Sequence, residues 1–276
     1  MGTLIALATT ALAHQPRIPQ GNSIDVPDPE VSKAYYGQLD GRPHVYRIVS
    51  IKPFALYVNV LVPDLPGQVQ DIIAVVIKDG NANQPVAVLD GREAPWHRFF
   101  EPFGHDRYWM GPAFRAQAGP GQYQIMVMSQ HNDSKYALAV GEKESFDVKE
   151  TVNALTLIPR IKRGWFNKSP ADFILSPFGA GLALLMFALA FALGFLLRLV
   201  LRGSSSATAC GAERNLGIIG RTIVALIGAG LFAWAIMTSW SPLLLFLSGF
   251  ACFAASAGWR GLCAAFGIGK RSTDGA

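Results

Sequence analysis

The first 170 residues contain no cysteine; Cys210, Cys252 and Cys263 all come later. A disulfide scaffold is excluded for this part, which must rely on a hydrophobic core, and roughly 150 residues can supply one. Charge is also scarce. Lys, Arg, Asp and Glu make up 16% of the 276 residues, against about 25% in average soluble proteins. The deficit is local: ten of these 43 side chains lie beyond Pro170, seven basic and three acidic. That split excludes a single ordinary soluble domain, a disordered chain, and a membrane protein from end to end. Catalytic signatures are missing too, with no Gly-x-Ser-x-Gly, no His-Glu-x-x-His and no phosphate-binding glycine loop.

What is present has two characters. Residues 14–170 are near neutral, whereas the excess behind the net charge of +5 sits around apolar segments after residue 171. No basic stripe marks a nucleic-acid surface, and arginines beside apolar runs are the usual signal of membrane orientation. The apolar start MGTLIALATTALA ends in Ala11-Leu12-Ala13 and is followed by polar HQPRIPQGNS. It reads as a signal peptide over 1–13 without its charged start, cleaved after Ala13.

Strand signals fill residues 44–140. FALYVNVLV (54–62) alternates and is rich in β-branched and aromatic residues. IIAVVIK (72–78) meets the turn Asp79-Gly80-Asn81, and QYQIMVMS (122–129) and KYALAV (135–140) flank His131-Asn132-Asp133. Short strands with polar turns and no helical period predict an antiparallel sandwich. His44-Val45-Tyr46-Arg47-Ile48, Ile77-Lys78-Asp79-Gly80, Ala118 to Val127 and Lys135 to Val140, in that order, resemble the bacterial pre-peptidase C-terminal domain, a jelly-roll-like sandwich. The resemblance covers about 100 residues at the level of fold and implies a non-catalytic module that binds or supports partners.

The second half carries three apolar runs, 178–197, 216–237 and 243–257. At about 1.5 Å per residue the first spans about 30 Å, enough to cross the hydrocarbon core. Three transmembrane helices are expected, with Arg198, Arg202, Arg214, Arg221, Arg260, Lys270 and Arg271 on the cytoplasmic side and the sandwich outside. Arg221 is expected to snorkel to the headgroups. Arg160, Lys162, Arg163 and Lys168, beside Trp165 and Phe166, are expected against anionic headgroups on the outer side. The stretch Glu213 to Arg221 and the closing Gly258-Trp259-Arg260-Gly261-Leu262-Cys263-Ala264-Ala265-Phe266-Gly267-Ile268 resemble a family of small two-helix membrane domains of unknown function. That family includes the membrane anchor of an inner-membrane rhodanese. Asn215, Gly217, Arg221, Cys263, Gly267 and Ile268 match its pattern, and Ala264 stands where a proline is usual. The resemblance implies an anchoring or oligomerising module.

The expected organisation is therefore a signal peptide (1–13), an N-terminal arm (14–43), an all-β exported sandwich (44–150) and a juxtamembrane linker (151–173). A first transmembrane helix (174–201) and a two-helix membrane domain (214–271) follow. The expected place is a bacterial inner membrane with the sandwich periplasmic and the C-terminus cytoplasmic. The expected partners are the bilayer and other envelope proteins or a second copy, with no nucleic acid. Trp96, His97, His105, Asp106, Tyr108 and Trp109 lie in an aromatic segment that either packs across a sheet or recognises a ligand. No cofactor and no catalysis are expected. The alternative is copper handling, since cleavage after Ala13 would leave His14 with a free amine, joined by a partner among His44, His97, His105 and His131. Cys263 reads as a helix-packing residue or as a cytoplasmic thiol.

Overall fold

A computed structural model describes residues 14–80, 84–145, 147–203 and 217–258. The chain forms two compact units, divided between Ser176 and Pro177.

In the first unit, β1 (Gln15–Arg17), β3 (Lys33–Gln38), β5 (Phe54–Pro63), β8 (His97–Glu101), β9 (Asp106–Ala118) and β11 (Lys135–Val140) make a six-stranded sheet in the order β1-β3-β11-β5-β9-β8. A five-stranded sheet, β2-β4-β10-β6-β7, contains β2 (Ser23–Asp25), β4 (His44–Ser50), β6 (Ile73–Lys78), β7 (Ala87–Asp90) and β10 (Gly121–Met128). The predicted sandwich is thus present, with one change. Residues 14–43 are not an arm before it: β1 runs parallel to β3 in one sheet, and β2 parallel to β4 in the other. Both are three-residue edge strands, which need few apolar side chains, so their polar composition hid them.

Period-two alternation along β5 explains the layering. Phe54, Leu56, Val58, Val60 and Val62 enter the core between the sheets with Tyr46, Ile48, Ile125 and Val127. Leu61 of β5 and Ala137 and Ala139 of β11 face the other way, and there they are buried as well. The six-stranded sheet is covered on both faces, in keeping with the unbroken apolar run of KYALAV. Between Asn59 and Leu61 the register with β9 shifts at a bulge. The Asn59 amide donates to the Gly111 and Pro112 carbonyls at 3.1 Å each, and Pro112 finds there a position that asks for no N–H.

The outer cover is the segment expected to be a linker. Asp147 caps α1 (Val148–Arg160) by accepting from the Glu150 N–H at 2.7 Å. Pro159, in the last turn of α1, lacks the N–H that would continue the ladder, and the helix widens into a π turn, Ile161–Trp165. A 3₁₀ turn, Pro170–Leu175, follows. Trp165 and Phe166 are 5% and 1% exposed, and Lys162 is 1% exposed. These three therefore do not lie against headgroups as expected; they are packed on the sheet.

The second unit contains α2 (Pro177–Gly203), α3 (Ile218–Thr238) and α4 (Pro242–Ala257). Two of these, over Pro177–Val200 and Ile218–Thr238, are long and apolar enough to cross a membrane. The third expected span is not: α4 has 16 residues, about 24 Å. Pro242 starts it and Gly258, at φ 63°, ends it with a left-handed turn. α4 packs against both α2 and α3. The Arg221 guanidinium donates to the Ala255 and Ser256 carbonyls at 2.9 and 2.6 Å, closing the C-terminus of α4.

Candidate functional site

Two adjoining recesses form where α1 and the π turn lie on the six-stranded sheet, and Tyr36 and Ile161 line both. The inner one, about 50 Å³, has room for one or two waters at about 30 Å³ each. Its wall is a charge cluster. Lys162, in the π turn, donates to Asp106 Oδ2 at 2.7 Å and to the Gly104 carbonyl, while Lys168 reaches Asp106 Oδ1 at 3.0 Å. Burial pushes the Lys162 pKa down, against the opposing pull of the Asp106 carboxylate. Glu101 accepts from the backbone N–H groups of Phe103 and Gly104 at 2.6 and 2.7 Å. Burial nonetheless outweighs those bonds and pushes its carboxyl up to about 7. The Tyr36 and Tyr108 hydroxyls meet at 3.0 Å. His14 also lines this recess, bonded through Nδ1 to Ser32 Oγ, and burial lowers its pKa.

The outer recess is an open cleft of about 320 Å³ lined by Gln38, Asp40, His44, Arg160 and Trp165 among others. His44 is 5% exposed. Its Nδ1 lies 2.7 Å from the Tyr136 hydroxyl, which lies 2.7 Å from that of Tyr46. The proton order follows from counting. Tyr46 is fully buried with Tyr136 as its hydrogen-bond partner, so its proton must go to the Tyr136 oxygen or remain unsatisfied. The Tyr136 proton then goes to His44 Nδ1, and the neutral His44 ring carries its own proton on Nε2. Charging the ring would reverse the relay and orphan the Tyr46 proton. Burial acts in the same direction, lowering the His44 pKa against a weaker pull from Asp40.

Of the six predicted ligand residues, Asp106 and Tyr108 line the inner recess. The others lie outside both. Trp96 fills the space over Gly91 and Gly111, its Nε1 donating to the Gly91 carbonyl at 2.6 Å. His97 is exposed on β8. His105, at φ 58°, sets its ring edge-on to Phe100 at 5.1 Å between centroids. Trp109 donates to Asp64 at 3.1 Å beneath the Arg98 guanidinium. The histidines expected near copper are separated: His14 lines one recess, His44 the other, and His97, His105 and His131 neither. Among the described residues no three His, Cys, Asp or Glu side chains are grouped to hold a metal ion. Cys263 and the signal segment 1–13 lie outside the described residues, as do Asn215, Gly267 and Ile268. Sequence reasoning missed Glu101, Lys162 and the His44–Tyr136–Tyr46 relay. The apolar neighbours of Lys162 in Ile-Lys-Arg-Gly-Trp-Phe were a signal, but nothing singled out that lysine among four nearby cations.

No family model and no curated protein matches this chain. Among solved structures, the pre-peptidase C-terminal domain of a collagenase from Bacillus anthracis is 11% identical, with a TM-score of 0.25, over 47% of this chain and 95% of that one. A family GH115 4-O-methyl-α-glucuronidase specific for decorated arabinogalactans is 15% identical, with a TM-score of 0.25, over 40% of this chain and 14% of that one.

Proposed function

We propose that this chain is a membrane-anchored envelope protein whose β-sandwich is held outside the cytoplasmic membrane as a non-catalytic binding or scaffolding module. The observation that carries the reading is the use made of the buried charges. Asp106 is bonded by two lysines and Glu101 by two backbone N–H groups, and all of these bonds hold residues 101–106 and 162–168 in place. An active site keeps such groups for substrate; here they attach a helical layer to the sheet. The inner recess, at about 50 Å³, is far below the roughly 300 Å³ at which small-molecule sites begin. Two apolar helices of spanning length support the anchor, and Arg198, Arg202 and Arg214 between them support a cytoplasmic loop there.

Cysteine labelling tests the placement. With the three native cysteines replaced by alanine, Lys52→Cys on the exposed β4–β5 turn is expected to react with a membrane-impermeant maleimide in spheroplasts as fully as after lysis. Labelling only after lysis would reverse the topology. A hydrolytic or transfer activity of the purified chain that Asp106→Ala abolishes with unchanged circular dichroism would replace the scaffold by an enzyme.

A further inference from the structure

The outer cleft is lined by two residues with hydrogen-bond donors that no described residue accepts from. His44 is 5% exposed, and its Nε2 has no hydrogen-bond partner among the described residues. Ser129 Oγ is the only fully enclosed, unpartnered side-chain polar atom among those residues, so Nε2 is not sealed from solvent, and His44 lines the cleft. The relay behind it makes Nε2 a donor rather than an acceptor: Tyr46 gives to Tyr136 and Tyr136 gives to Nδ1. The second is the exposed Arg160. It ends α1 on the same cleft and has no ion pair or side-chain hydrogen bond among the described residues. One wall is apolar, made by Ile18, Pro19, Ile161 and the edge of Trp165. On the opposite account stands Asp40, the one carboxylate of the cleft, which accepts from the Asn22 amide at 2.8 Å. A bound anion would be repelled by it, and its engagement by Asn22 leaves it less available as a competing partner for Arg160.

We infer that this cleft is a binding site for a carboxylate attached to a small apolar body, held by the His44 Nε2–H and the Arg160 guanidinium with its apolar part against Ile161 and Trp165. A carboxylate suits both donors, since its two oxygens can accept from a guanidinium and from a neutral N–H without any change of protonation. The cleft volume of about 320 Å³ lies at the lower end of small-ligand sites, roughly 300–1,000 Å³. The carboxylate could belong to a free organic acid or to the C-terminus of a peptide. The inference deepens the binding-module reading and rests on it, but its test does not depend on membrane orientation.

The test uses the full chain in nanodiscs with ¹⁵N-labelled histidine, the His44 ring signals assigned from His44→Gln. Before any addition, the ring should show the Nε2–H tautomer. Sodium benzoate should shift the His44 signals saturably. A tripeptide Ala-Val-Phe with a free C-terminus should do so too if peptides are the source, while its amidated form should not. Arg160→Gln should weaken the response at least tenfold, and Asp40→Asn should strengthen it. Arg160 is exposed, so its replacement leaves the fold intact. Four results would overturn the inference: an Nδ1–H tautomer, no saturable shift with either carboxylate, equal affinity in Arg160→Gln, or an equal response to inorganic phosphate. Failure here with external labelling at Lys52→Cys would remove the ligand site and leave the anchored scaffold standing.

Discussion

The Lys162 ammonium lies 2.7 Å from the Asp106 carboxylate, their side chains 2% and 4% exposed, although 56 residues of chain separate them. One belongs to the helical layer and the other to the first position of β9, so this pair joins two layers of the domain. Charges taken this far from water are held only while each satisfies the other, and removing one partner from such a pair costs about 3–5 kcal/mol. Asp106→Ala is therefore expected to lower the urea midpoint of the first unit sharply and to expose the 160–168 segment to trypsin. The pair replacement Asp106→Leu with Lys162→Met should recover most of the loss. If the single variant unfolds at the wild-type midpoint, the layer is held by its apolar contacts alone.

Acidity acts on the neighbouring carboxyl. Glu101 has a folded pKa of about 7 against an ordinary value of 4.5. The folded state thus binds this proton more tightly than the unfolded chain does, and the associated stability is full below pH 4.5 and lost as pH rises through 7. Glu101→Gln should remove this component, so that stability falls less between pH 5 and pH 8 than it does in the wild type. Denaturant titrations at several pH values would read the slope, and parallel slopes for the two proteins would show that Glu101 titrates normally.

The His44 relay carries the opposite sign. Its pKa is lowered by burial, so its contribution is present above the ordinary value of 6.5 and lost as pH falls through the folded value. Tyr46→Phe removes the proton donated to the Tyr136 oxygen, a bond that polarises the Tyr136 O–H and strengthens its donation to Nδ1 of the neutral ring. The His44 pKa should rise toward its ordinary value in that variant, measured by ring chemical shifts against pH. An unchanged value would mean that desolvation alone depresses it.

Gly37 sits in β3 directly opposite Tyr136 of β11, and a Cβ there would come within 2.6 Å of the tyrosine ring. Its carbonyl also accepts from the Trp165 indole at 3.1 Å. Gly37→Ala should therefore cost about 1–3 kcal/mol through overpacking and weaken the hold on the π turn. Thermal unfolding followed by tryptophan fluorescence would detect both, and a neutral effect would show that Tyr136 can move aside.

In the second unit, Arg221 supplies donors to the last carbonyls of α4. Arg221→Ala should fray that end and speed alkylation of Cys252, which is half-buried against Gly228. The rate of N-ethylmaleimide modification, with Cys210 and Cys263 replaced by serine, checks this. An unaltered rate would mean that α4 is held by α2 and α3 without the cap.

The strands were legible because alternation is a local property. Phe54, Leu56, Val58, Val60 and Val62 announce a buried face by spacing alone, and the scarcity of charge after Pro170 announces apolar helices in the same way. The residues of β1 and β2 were not legible, since three-residue edge strands take their stability from a neighbour rather than from their own composition. The bounds of α4 were legible, since the apolar run 243–257 ends where the helix ends, but its 16 residues fall short of the roughly 20 that a span needs.

The sequence by itself determined that an uncrosslinked β-sheet domain precedes apolar helices, because composition and period act over a few neighbouring residues. Tertiary structure alone decided that residues 148–175 form a third layer on the sheet, that Lys162 is spent on Asp106, and that His44 stands between a tyrosine relay and an open cleft. Each of those outcomes depends on groups brought together from 56 to 92 positions apart in the chain. Desolvation and hydrogen-bond counting among such groups have no counterpart in local sequence.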